Sequence, residues 1–116
     1  MLDHIKRLIE LFAQHCSDRT TLDELHRMID DRRSWPKAHD LFDRIRTKTL
    51  EAEELKDERA NCQYLFEEVC AETLYNLTDT DAPFDSDSPY WIVPNALSLA
   101  RRIGIQDSQI SNIVAG

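Results

Sequence analysis

Glycine is almost missing from this chain: Gly104 and Gly116 are the only two in 116 residues. Tight hairpins need residues at positive φ, which glycine supplies most cheaply, so a sheet built from short turns is disfavoured. Proline occurs four times, at Pro36, Pro83, Pro89 and Pro94, each placed to begin or interrupt an element and none inside a periodic run. No apolar run approaches the ~20 residues needed to span a bilayer. The opening residues "MLDHIKRLIE" lack the apolar stretch of a secretory signal. Together these absences predict an all-α, soluble, cytosolic protein with no membrane contact. At this length it is expected to form a single domain of five or six helices around one core.

Cysteine is scarce and odd in number. Cys62 and Cys70 fall eight residues apart on one predicted helix, about 12 Å along its axis, too far for a disulfide. Cys16, Cys62 and Cys70 are expected to act as small buried apolar residues.

Basic charge is the minority sign. Fourteen lysines and arginines face twenty-two aspartates and glutamates, a formal net charge of −8. Such a surface repels phosphate and attracts cationic partners. Residues 91–116 hold Arg101 and Arg102 against Asp107 alone, which makes this segment +1 and leaves −9 on residues 1–90.

What is present is helical periodicity. Ile5, Leu8, Ile9, Phe12 and Cys16 recur at spacings of three and four, predicting a first helix after Asp3. "TLDE" carries Thr21 and Glu24 at the spacing of a capping box, opening a second helix with Leu22, Leu25, Met28 and Ile29 inward. "RRSWPK" ends it. Pro36 suits a first helical position and drives Trp35 toward an extended corner, its indole against the core. Residues 38–77 contain neither glycine nor proline. As one helix they would span roughly 60 Å, too long for a domain of about 13 Å radius of gyration. A break is expected at Thr47–Thr49 or at Lys56–Asn61. The run "EAEELKDE" reads as a solvated helix face. Residues 78–93 lose periodicity and read as a long connection. Pro94 is expected to open a helix that Gly104 ends, followed by a short one from Asp107, which together form a C-terminal helix pair.

Catalytic and metal-binding signatures are absent. His4, His15, His26 and His39 stand singly, with no His-Glu-x-x-His or Cys-x-x-Cys spacing. There is no glycine-rich phosphate loop, and no local signature of a nucleophilic triad. The aspartates of "DTDAPFDSD" lack the mid-loop glycine and terminal glutamate of a calcium loop. No enzyme activity, metal or cofactor is therefore expected.

Two stretches carry the functional expectations. In "LARRIGIQDSQISNIVAG", residues Leu99, Ala100, Ile103, Gly104, Ile105, Ile110 and Ile113 fall where the helix-turn-helix of bacterial repressors wants apolar, small and turn residues. The segment resembles that motif. The resemblance implies that Ser108, Gln109, Ser111 and Asn112 would face base edges and that Arg101 and Arg102 would touch phosphate. The helix that would read the bases, however, contains no lysine or arginine and starts at Asp107, so nucleic acid is the less favoured partner. Closing the core is the expected role of this segment, and transcriptional regulation is the alternative.

The second stretch, "APFDSDSPYWIVPN", sets Tyr90 and Trp91 beside Asp79, Asp81, Asp85 and Asp87. Aromatic anchors among carboxylates suit a basic protein partner. The glutamate-rich helix between Glu51 and Glu72 is the other candidate surface. In overall character (small, acidic, helical, without catalytic machinery) the chain resembles bacterial immunity proteins of the colicin and contact-dependent inhibition type. That resemblance implies an inhibitor steered onto a basic, nucleic-acid-degrading toxin. A structural or adaptor subunit is a third expectation.

Overall fold

The computed structural model describes residues 2–16, 18–77 and 88–115; of residue 2 and residues 88–91 only the backbone is described. Six α-helices and no strand occur among the described residues, as the periodicity and glycine content predict: α1 (Leu2–Gln14), α2 (Thr20–Asp30), α3 (Ala38–Glu54), α4 (Glu58–Asn76), α5 (Ser88–Arg102) and α6 (Asp107–Ala115). A 3-10 turn, Arg32–Lys37, links α2 to α3.

Helix α1 buries the stripe that the spacing marks, Ile5, Leu8, Ile9 and Phe12. Helix α2 begins at Thr20, two residues earlier than a capping box at Thr21 requires. Thr21 is buried, and the Asp18 carboxylate instead accepts the Thr20 N–H at 3.0 Å. The capping box fails because that side chain is needed inside the core. Trp35 is buried as expected, but it sits within the 3-10 turn and not in an extended corner, its indole N–H donating to the Met28 carbonyl at 2.9 Å. Pro36 lies inside that turn, and α3 begins two residues later.

The long helical region breaks at the second expected place. Leu55 closes α3, Lys56 adopts φ 58°, and the Asp57 carboxylate caps α4 by accepting the Ala60 N–H. The Asp57 N–H reaches Ala52 O at 2.9 Å and the Lys56 N–H reaches Glu53 O at 3.1 Å, the paired bonds of a Schellman stop. That motif normally ends on glycine. Here a lysine takes the left-handed position, so no local signal marks it.

The turn folds α3 back on α4, the most extensive helix contact among the described residues. Helix α4 also packs against α1, α2, α5 and the 3-10 turn. Its buried residues lie all round it, from Cys62 and Phe66 to Gln63 and Glu67, as a helix at the centre of a bundle must bury them. Phe66 stacks on Phe12 with ring centroids 4.1 Å apart. Cys62 and Cys70 are wholly buried and Cys16 partly so, all three with free thiols.

Helix α5 starts at Ser88, six residues before the expected start at Pro94, so residues 88–93 belong to a helix and not to a connection. Pro89 suits a first turn. Pro94 lacks an N–H for the carbonyl four residues back, a local cost that the burial of Ile92 and Ala96 on either side helps to offset. Gly104, at φ 84°, ends α5 with the same pair of bonds, Ile105 N–H to Ala100 O and Gly104 N–H to Arg101 O. No described helix is long and apolar enough to cross a membrane.

Candidate functional site

The C-terminal end of α3 departs from local rules in three ways at once. Leu50 is 51% exposed and Leu55 79% exposed, the two most exposed large apolar side chains among the described residues. Glu51, Glu53 and Glu54 stand beside them, exposed and without an ion pair among the described residues. Carboxylates in the last turn of a helix face the negative end of its dipole, where cations are preferred. Lys56 then takes a backbone conformation that glycine fills at lower cost. The buried side of the same turns is ordinary, with Ile45, Thr49 and Ala52 packed on α4.

Beside this edge, an open groove of about 420 Å³ runs between α3 and α4 to the end of α5. Ala52 and Leu65 supply apolar wall, and Arg46, Glu53, Lys56 and Arg102 supply charge. Arg46 is held by Glu68 at 3.3 Å and Arg102 by Glu58 at 2.6 Å, so Glu53, Lys56 and Asp57 are the charges there that stay free of ion pairs among the described residues.

The apolar positions of the C-terminal pair face inward, as in any tightly packed helix pair. Leu99, Ala100, Ile103, Ile105 and Ile110 are buried, Ile113 is half-buried, and Gly104 makes the turn. Ser108, Gln109, Ser111 and Asn112 are exposed on α6. The two arginines, however, are already engaged. Arg101 grips Asp107 through Nε at 2.9 Å and Nη2 at 2.7 Å, which raises its pKa and lowers that of the carboxyl. Arg102 holds Glu58, lowering that carboxyl's pKa in turn. Helix α6 packs on α1 as well as α5, which closes one side of the core.

Asp79, Asp81, Asp85 and Asp87 lie outside the described residues, as do the side chains of Tyr90 and Trp91. Among the described residues no cluster of three or more His, Cys, Asp or Glu side chains is arranged to hold a metal.

A buried polar cluster escapes the sequence reading altogether. Asp18, between α1 and α2, accepts from the Tyr64 hydroxyl at 2.6 Å and from Lys48 Nζ at 3.3 Å. The Gln63 amide donates both to Asp18 O and to Glu67 Oε2. One turn along α4, Glu68 accepts from the Thr49 hydroxyl at 2.9 Å and pairs with Arg46. The donors around Asp18, Tyr64 first, bring its carboxyl down to about 2. Burial pushes Glu67 up to about 7. Burial likewise raises the Cys16 thiol to about 11, so this cysteine stays protonated near neutrality. Apolar neighbours on every side of α4 enclose Gln63, Glu67 and Glu68, whereas Glu58 and Glu72 of the same helix stay exposed.

Fold and surface together define a small all-α bundle with an acidic, partly apolar edge. Compared with known proteins, the chain matches no family model, no curated protein and no solved structure.

Proposed function

We propose that this protein is an acidic binding module whose α3 end, Leu50 to Lys56, docks on a basic protein, as an immunity protein docks on a nucleic-acid-degrading toxin. The observation that carries this reading is the coincidence at one edge of exposed leucines, unpaired carboxylates at the wrong helix end and a lysine in the left-handed region. Each is a local cost, and local costs concentrate where a sequence serves something other than stability. The carboxylates would steer a cationic partner and the leucines would give it an apolar seat. The Asp79 to Trp91 stretch would add to the same field by charge alone.

The test is affinity capture from the source cells at low and moderate salt, with full-length baits: the natural chain, Glu51→Lys/Glu54→Lys, Asp3→Lys/Asp40→Lys, which carries the same net charge as the second, and then Asp85→Lys/Asp87→Lys and Arg101→Ala/Gln109→Ala. A stoichiometric basic protein held by the first and third baits and lost by the second supports this edge. Equal loss from both variants leaves only nonspecific steering. Loss on Asp85→Lys/Asp87→Lys, but not on Glu51→Lys/Glu54→Lys, moves the site to the aspartate-rich stretch. Specific DNA in the eluate, abolished by Arg101→Ala and Gln109→Ala, favours the regulator. A permanent complex indifferent to salt favours the adaptor.

A further inference from the structure

The segment between α1 and α2 is fastened to α4 mainly by side chains. Asp18 receives Tyr64, Lys48 and the Thr20 N–H on its carboxylate, and Gln63 on its carbonyl. Arg59 donates to the carbonyl of His15 at 2.9 Å. Directly beneath lies Glu67, at 0% exposure. Gln63 bridges the two layers, since its amide holds both Asp18 and Glu67. Glu67 Oε1 has no formed hydrogen bond, and neither has Thr21 Oγ1, which lies close enough to favour the carboxylate.

The groups facing Glu67 are Cys16 at the end of α1, Asp18 above it, Thr21 on α2, Lys48 on α3, and Gln63, Tyr64 and Cys70 on α4. Lys48 is the lone cation among the described residues that face it, and its ammonium is bonded to Asp18. An ionised Glu67 would thus be a buried anion with one good donor and a second carboxylate nearby, a state that water must relieve. Every other side of Glu67 is helix. Of the groups facing it, Cys16 and Asp18 are the two that lie outside a helix.

We propose that Cys16 and Asp18 form a proton-operated latch: they seat on α4 while Glu67 is neutral and lift when Glu67 ionises. The two carboxylates make opposite demands. Asp18 must be charged to hold Tyr64, Lys48 and the Thr20 N–H, whereas Glu67 must be uncharged. The latch is therefore tightest in mild acid and loosens as the pH rises toward neutrality. The sign follows from linkage: the closed form binds the Glu67 proton up to about pH 7, and an opened form would release it near the ordinary carboxyl value of about 4.3. Between those limits the opening constant gains up to about tenfold per pH unit, and it levels off above about 7.

Amide exchange of the full-length protein, followed residue by residue from pH 4.5 to 8 and corrected for intrinsic rates, tests this. The Thr20 and Asp23 amides, which bond to Asp18 and Arg19 at the segment's end, should open progressively up to pH 7 while those of α3 hold. Glu67→Gln should give a flat profile. A rise that persists in Glu67→Gln, a flat natural protein, or a rise shared by all helices would overturn the proposal. Should Glu67→Gln not fold, the Glu67 carboxyl carbon is titrated by NMR in the natural chain. A midpoint near 4 rules the latch out, and a midpoint near 7 that coincides with shift changes at Cys16 and Asp18 supports it.

Discussion

The Tyr64 hydroxyl donates to Asp18 Oδ2 at 2.6 Å, across forty-six residues of sequence, and so ties the end of the first helix to the central one. Hydrogen bonds to a charged group are among the stronger ones, so Tyr64→Phe should cost about 1–2 kcal/mol in chemical denaturation. It should also return the Asp18 carboxyl toward its ordinary value. Because Asp18 is held down to about 2 in the folded chain, its contribution is present above about pH 3.9 and lost as the pH falls through about 2. Tyr64→Phe should therefore flatten the acid limb of the stability profile.

The two Schellman stops make opposite demands on substitution. Lys56 holds a left-handed backbone without glycine's freedom, so Lys56→Gly should stabilise the protein by about 0.5–1 kcal/mol. Gly104, at φ 84° with open space where a Cβ would stand, should lose about 1 kcal/mol on change to alanine through backbone strain alone. Equilibrium unfolding of both variants gives the signs. A destabilised Lys56→Gly would mean that the lysine side chain contributes more than its backbone costs.

Reversing the carboxylates of the α3 end should separate stability from function. Glu51→Lys/Glu54→Lys places cations at the negative end of the helix, which should raise the thermal midpoint by about 2–4 °C. The same change should abolish capture of a basic partner. A variant both more stable and inactive is the mark of a surface kept for binding.

The Phe12–Phe66 stack joins α1 to α4 at the centre of the core, both rings fully buried. Phe66→Ala should cost about 3–5 kcal/mol, the range for deleting a buried aromatic ring. A loss below about 2 kcal/mol in urea unfolding would show that α1 closes over the vacancy.

Helical class, the buried stripes of α1 and α2, the burial of Trp35 and the turn at Gly104 all follow from the sequence, because each rests on residues within a turn or two of one another. Apolar spacing sets a face and proline a break, and glycine sets a left-handed turn, whatever lies elsewhere. The stop at Lys56 is legible only to within a polar stretch, since no glycine announces it and the return of α3 onto α4 selects it. The start of α5 at Ser88 comes from burial of Ile92 and Ala96 overriding the usual effect of Pro94. Thr21 has the spacing of a cap and is core, and Glu67 has the chemistry of a solvent face and is the most deeply buried carboxylate among the described residues. Those outcomes belong to tertiary structure alone. A polar side chain's partners, such as Asp18 for Tyr64 and Gln63, lie forty-five or more residues away, and only the packed bundle brings them within hydrogen-bond reach.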